Sequence, residues 1–484
     1  AGPGDPDPAR VTEQGPASSG GWFALDDGWG TWMRDAAARA VRRVGGRRGA
    51  PGRSKIGIIG AGGVQFPLRL MGDMLSFRSL RQAEFALMDV DRAHAERTAR
   101  DARAIAARHL IRGVTITATD DRREALDGAD YVFITFMVGG LEVSRHDIEI
   151  PRRYGVEQIV GDTMGPGGIF RFLRNARVFA GIAADMRELC PDALMLNYAN
   201  PMAMSCWYLS ALGVRTLGLC HSVQGTSRML ARVAGVPYDE VTFTVGGINH
   251  QAWFTTFRRG DEDLYPRLRA ELARRTASPD AEERVRTEIM QAFGYFHTES
   301  SLHASEYVPW FRKNARLIDR YGGRRWDHDW LAAHARKAQA DRWLYRHLMV
   351  RLAPSEEYGA RILDALEGGT SGLVHANVPN HGLIANLPAA SCVEVACHVD
   401  RAGARPIAFG DLPKQCAALN RTNIGVHELA VRAVLSGDRE HIQQAMALDP
   451  LTSAVCTLDE IRAMTDELLR LNEAWLPASL QRTS

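Results

Sequence analysis

From residue 55 onward the chain alternates between two hydrophobic periods. Short apolar, β-branched runs at residues 55–59, 84–88, 114–117, 131–135, 193–196 and 214–219 read as buried strands. Between several of them the apolar positions recur at helical spacing, as in Leu68, Leu70, Met71 and Leu75, and across residues 92–109 and 175–189. Strands alternating with helices predict an α/β protein with a Rossmann-like, doubly wound parallel sheet. After about Pro237 the alternation fades, and longer helical stretches rich in Arg, Ala and Leu dominate, at residues 267–275, 327–352 and 458–471. This half is expected to form a second, α+β domain. No internal repeat is found.

Residues 1–54 have neither period. Gly, Pro and Ser clusters, the segment WFALDDGWGTW and an Arg-rich stretch over residues 39–53 mark a poorly ordered N-terminal extension, with a polyanion-binding or targeting arm as the functional alternative. The predicted organisation is thus an extension over 1–54, a first domain over 55–225 and a second over 226–484.

Composition narrows the function classes. At 484 residues with 45% hydrophobic and 24% charged positions, the chain can bury a sizeable core. Its 59 basic and 57 acidic residues leave a net charge of only +2, which gives no electrostatic case for nucleic acid or an anionic membrane as the main partner. No run approaches the length of a membrane span, and the first residues lack the apolar segment of a signal peptide, so the expected location is the cytoplasm. The seven cysteines include no CxxC pair, which argues against a structural zinc site or a redox motif.

Three places carry candidate chemistry. Gly60-Ala61-Gly62-Gly63 sits between a strand and a helix, the arrangement that brings backbone amides and a helix start to a pyrophosphate; Gln65 replaces the third glycine of the usual fingerprint. The next strand ends at Asp89, a carboxylate placed for ribose hydroxyls, which favours NAD over NADP. A tight turn beside a surface acid is the plainer alternative. Asn197-Tyr198-Ala199-Asn200-Pro201 follows an apolar strand, so Asn197 and Asn200 should lie at the ligand-binding edge of the sheet, although Asn before Pro is also ordinary turn chemistry. Cys220-His221 ends the following strand, and Gly247-Ile248-Asn249-His250 comes about thirty residues later. Cys220 and His250 together offer a thiolate and an imidazole to a divalent ion with positions left open, or are a buried thiol and a structural histidine.

Taken together these segments resemble the family-4 glycoside hydrolases, the NAD- and metal-dependent glycosidases. The likeness runs from Lys55 to about Leu471 through KIGIIGAGG, VGDTMGPGGIFR, NYANPM, GLCHSVQGT, GGINH, TESSLHASEYVPWF, NVPNHGLIANLP and GDLPKQCAALNRTN. Within the family, CHS followed by VQGT is similar to the α-galactosidase branch, while the α-glucuronidase and α-galacturonidase branches also place His after Cys. The resemblance implies a mechanism unlike the paired-carboxylate one. NAD⁺ takes a hydride from C3 of the sugar, the resulting ketone acidifies the C2 proton, a base removes it, the aglycone is eliminated, water adds and the hydride returns. The ion, usually Mn²⁺, polarises the C2 and C3 oxygens.

Gly60, Gly62, Gly63 and Asp89 are thus the candidates for NAD and Asn197 a candidate sugar contact, and carried over by position the resemblance implies Cys220 and His250 for the metal and Asn200 for the sugar. It implies His221 or another group as the acid, and Tyr307 as the C2 base with Tyr295 as the alternative. It places Asp162 and Thr163 in a loop over nicotinamide or substrate, and it favours a homodimer or homotetramer acting on a small glycoside. Two competing readings remain: a 2-hydroxy-acid dehydrogenase, in which the Cys220 and His250 pair has no task, and a non-catalytic NAD-binding sensor, in which these residues need not persist.

Overall fold

Most of the parallel strands are buried on both faces, which is why they read in sequence as apolar runs. In the computed structural model, which describes residues 53–276, 282–323, 328–348 and 352–481, β1 (Lys55–Ile59) has four of its five residues buried and pairs in parallel with β2 (Glu84–Met88) and β4 (Tyr131–Ile134). β3 (Thr115–Thr119) lies outside β2, and β5 (Leu194–Asn197) and β6 (Thr216–Gly218) continue beyond β4. The spatial order is therefore β3-β2-β1-β4-β5-β6, that of a dinucleotide-binding sheet whose strand order reverses beside β1. The expected extension lies outside the described residues apart from Arg53 and Ser54.

Local signals explain the connecting helices. Helix Arg92–Arg108 starts where the Asp91 carboxylate accepts the amides of Ala93 and His94. Helix Gly165–Leu189 begins ten residues before the periodic stretch recognised in sequence, because Pro166 is tolerated in a first turn even though GPGG reads as a loop.

The second half differs from its sequence reading. Besides helices it supplies seven strands: β7 (Val241–Ile248), β8 (Gln251–Arg259), β9 (Glu262–Asp263), β10 (Phe296–His297), β11 (Gly372–Pro379), β12 (Cys392–Asp400) and β13 (Gly403–Pro406). All are antiparallel to their neighbours, and all belong to the same sheet as β1–β6. Asn377 of β11 pairs with Gly218 of β6, and Glu394 of β12 pairs with both Asn377 and Gly247. These polar residues in mid-strand, fully buried, interrupt the apolar alternation by which β11 and β12 would have been recognised. The join has a functional consequence. It sets the end of β6 beside the turn between β7 and β8, so residues thirty apart in sequence meet at one edge. Behind β7 and β8, Val245, Phe254, Phe257, Leu264, Leu268 and Phe296 form a packed apolar cluster that holds the hairpin rigid.

Candidate active site

The glycine turn after β1 is tied to β2: the amides of Gly60 and Ala61 both donate to the Met88 carbonyl, and Gly62 N donates to Asp89 Oδ2 at 2.8 Å. Gly60 has φ +93°, and a Cβ there would lie 2.7 Å from Phe136 N; a Cβ on Gly62 would lie 2.5 Å from the Asp89 carboxylate. Only glycine allows this approach. Helix Phe66–Ser76 then starts with no side chain capping its amides, which leaves them for a phosphate. The turn, the helix start and Asp89 thus fit a dinucleotide, and Gly60, Gly62, Gly63 and Asp89 stand together as expected from the sequence.

At the far end of β6 the chain delivers Cys220, and the β7–β8 turn delivers His250 in a left-handed conformation, φ +65°. Cys220 Sγ is 3.3 Å from His250 Nε2. A third donor joins them: Glu299 Oε2 is 3.2 Å from the same nitrogen, and the three donor atoms lie within 4.8 Å of one another. Burial pushes the Cys220 thiol up to about 11, with Glu299 adding to the effect against the opposing hydrogen bonds of Ser222 and Asn249. A thiol so placed ionises only beside a compensating charge.

The other face of His250 is held by two partners. Tyr307 OH is 3.0 Å and His303 Nε2 3.1 Å from His250 Nδ1, and His303 Nδ1 is 3.1 Å from Glu306 Oε2. If His303 gives its Nδ1 proton to Glu306 and accepts from His250, the second imidazole keeps its Nε2 lone pair for the pocket, as second-shell partners do for metal-binding histidines. The donor set and its backing therefore fit a divalent ion. Glu306, 1% exposed, also accepts the amides of Ile159, Val160 and Gly161, so one carboxylate fixes both the imidazole chain and the loop that carries Asp162.

Asp162 in turn accepts from Asn200 Nδ2 at 3.0 Å and from Thr163 Oγ1 at 2.6 Å. Burial works against its charge, but Arg171, His303 and these two hydrogen bonds outweigh it and hold its pKa at about 2. Asn200, half-buried, is thereby presented at the edge in a fixed orientation. Asn197 is a correction. It is fully buried, with its amide spent on Ala199 N, Ala199 O and the Met202 sulfur, so it shapes the Asn197-to-Pro201 turn and does not face a ligand.

Tyr307, the expected base, is in the site but only 2% exposed, on the side of His250 away from Cys220. Burial, and then Glu299, Asp162 and Glu306, raise its pKa well above the usual phenol value. In this state it orients His250. Tyr295 has other neighbours: it packs edge-on against Tyr265 and lines a surface pocket with Thr255, Arg269 and Gln415, a lining that includes none of Cys220, His250 and Glu299. His221 stands at the mouth, its side chain 72% exposed, with Nδ1 3.8 Å from Glu357 Oε1. Glu299, His303, Glu306 and Glu357 were not identified from sequence. Glu299 precedes Ser300, the cap of a short helix, and nothing in that context separates it from a loop acid.

Comparison with known proteins agrees with this arrangement. Residues 55–236 match the family described as "Family 4 glycosyl hydrolase", and residues 245–452 match its C-terminal domain. The chain is 39% identical to an α-galactosidase of Bacillus subtilis (strain 168), over 87% of this chain and 99% of that protein. It is 38% identical to an α-galactosidase of Rhizobium meliloti (strain 1021), over 87% of this chain and 89% of the relative. In fold it is similar to a 6-phospho-α-glucosidase from gut microorganisms solved in complex with NAD and Mn²⁺, with a TM-score of 0.72 at 20% identity, over 88% of this chain and 99% of the other.

Proposed function

The chain belongs to the family 4 glycosyl hydrolases and is a glycoside hydrolase, and on that premise we propose that it cleaves α-galactosides with NAD and a divalent ion such as Mn²⁺. The observation that carries this reading is the meeting of Cys220 and His250 at the edge of a dinucleotide-type sheet, 3.3 Å apart. Gly60, Gly62, Gly63 and Asp89 would hold the dinucleotide, and Cys220 and His250 the ion. When bound, these groups supply a reversible hydride acceptor for C3 and a Lewis acid for the neighbouring sugar oxygens.

The chain's own residues divide the remaining work. Asn200, braced by Asp162, binds a sugar hydroxyl with its amide. Tyr307 is the base for the C2 proton, with His303 and Glu306 next to it as a path for that proton. His221, exposed at the mouth and backed by Glu357, protonates the departing aglycone through its free ring nitrogen. The identity of the two α-galactosidase relatives favours a neutral galactoside. So does the charge of the site, where Asp162, Glu299 and Glu357 gather and the Arg171 guanidinium is paired with Asp162 at 3.6 Å, an arrangement that resists a further carboxylate on the sugar. The dinucleotide turn lies within residues 55–225, while the sugar and the ion would be held by both segments, Asn200, Cys220 and His221 from the first and His250 and Tyr307 from the second.

The test is hydrolysis of nitrophenyl α-galactoside, α-glucoside, α-glucuronide and α-galacturonide in D₂O, with NAD⁺, Mn²⁺ and a thiol reductant. The α-galactoside should be turned over fastest, the released galactose should carry deuterium at C2, and NADH should not accumulate. Absence of carbon-bound deuterium would overturn the oxidation and elimination reading, and a preferred uronide would overturn the substrate assignment.

A further inference from the structure

Glu299 has three features that an incidental ion pair does not require together. Its Oε2 approaches the imidazole nitrogen that faces Cys220, not the one that faces Tyr307 and His303. Its side chain is 21% exposed against 7% for His250, so it is the less enclosed of the two. Its backbone is held at φ +77°, a left-handed conformation that costs a non-glycine residue of order 1 kcal/mol and is shared with His250. Two residues from different loops are thus both held in unfavourable backbone conformations with their donor atoms converging on one point beside Cys220.

A sulfur, an imidazole nitrogen and a carboxylate oxygen thus converge within 4.8 Å of one another, three donor types that a divalent ion accepts. The donor separations of 3.2 and 3.3 Å are close to the roughly 3–4 Å that first-shell donors keep from one another around an ion with bonds of about 2.0–2.3 Å.

We propose that Glu299 is a third protein ligand of the divalent ion, so that Cys220, His250 and Glu299 form a sulfur, nitrogen and oxygen face with the remaining positions open to the sugar. This rests on the metal reading of Cys220 and His250 given above and goes beyond it in two consequences. The first is order of binding: three protein donors hold the ion in the sugar-free enzyme, so the ion does not depend on substrate oxygens to stay. The second is selectivity. Thiolate and imidazole alone favour softer ions, and a carboxylate shifts the site toward Mn²⁺. Its charge also makes the loaded face formally neutral, which suits an uncharged diol.

The experiment measures ion affinity of the sugar-free, NAD-loaded full chain by electron paramagnetic resonance of free Mn²⁺ and, separately, by thiolate-to-Cd²⁺ absorbance. In Glu299→Gln the Mn²⁺ dissociation constant should rise about tenfold or more, since even outer-shell losses cost that much, while Cd²⁺ affinity should change clearly less. Glu299→Asp, which keeps the oxygen donor on a shorter arm, should recover part of the Mn²⁺ affinity. Equal Mn²⁺ affinity in wild type and Glu299→Gln, with weakened binding in Cys220→Ser, overturns the Glu299 assignment alone. Mn²⁺ binding that survives Cys220→Ser unchanged overturns the metal reading on which it rests. Equal losses of Mn²⁺ and Cd²⁺ in Glu299→Gln would make the residue a structural support for His250 and also overturn the proposal.

Discussion

At the scale of single residues, the site is governed by which face of His250 each neighbour takes. Cys220 and Glu299 take the Nε2 face, while Tyr307 and His303 take Nδ1. That division gives Tyr307 two separable roles, base and orienter. In Tyr307→Phe a lost base should slow deuterium uptake at C2 by about 10²- to 10⁴-fold while Mn²⁺ affinity stays near wild type. A lost orienter should instead weaken Mn²⁺ binding, with C2 exchange returning at saturating ion. Measuring exchange and ion affinity on the same variant separates the two, and the second pattern would remove Tyr307 from the proton-transfer step. Cys220, His250 and Asn200 were legible in sequence because each ends a recognisable strand or begins a recognisable turn. Glu299, His303 and Glu306 were not, since their roles depend on contacts remote in sequence, Glu299 and His303 with His250 and Glu306 with Gly161. Asn197 was misread for a related reason: its position at a strand end was right, but a side chain there either faces the ligand or locks its own turn, and sequence does not distinguish these.

At the scale of elements, the first half was readable because parallel strands buried on both faces give continuous apolar runs, and all six of those strands appear within two residues of their expected bounds at either end. The strands of the second half were hidden by buried polar residues such as Asn377 and Glu394. Helix ends carry a further electrostatic signature. Asp449 caps helix Pro450–Val455 through its Oδ1, which accepts from Thr452 N at 2.8 Å and from the Thr452 hydroxyl at 2.6 Å. Its Oδ2 makes no well-formed hydrogen bond, and burial raises the group from 3.8 to about 6 against the Thr452 hydrogen bonds and the nearby Gly165 amide. An acid whose folded pKa lies above its unfolded value binds more protons in the native state across that interval, so stability falls as pH rises from about 4 to 6 and stays lower above it. Asp449→Asn keeps the capping oxygen and removes the charge. Compared with wild type, the variant should lose that part of the pH dependence and gain on the order of 2 kcal/mol at pH 8. Thermal melts of both proteins from pH 4 to 8 check this, and parallel curves would show that Asp449 is not charged at a cost in the native state.

At the scale of the whole molecule, one sheet carries both halves of the proposed chemistry, from the dinucleotide turn beside β1 to the Cys220 and His250 edge. Residues 52–484 form one compact unit, and the first strand is anchored from within that unit: Lys55 N donates to Asp130, its Nζ to the carbonyls of Glu124 and Asp127, and Glu84 N to the Ser54 carbonyl. The family match begins at residue 55, and the B. subtilis α-galactosidase is covered over 99% of its length by 87% of this chain. A fold that the relative completes without a counterpart to most of residues 1–52 should be complete here too. A chain starting at Arg53 is therefore expected to melt within about 2 °C of the full chain, a shift corresponding to no more than about 2 kcal/mol at this size, and to keep kcat on nitrophenyl α-galactoside within about twofold. The two readouts answer different questions. A lower melting temperature with kcat preserved would place part of residues 1–52 against the core, whereas loss of kcat at an unchanged melting temperature would assign the segment a share in the site or in subunit assembly, and either result would end the view of it as an appended arm.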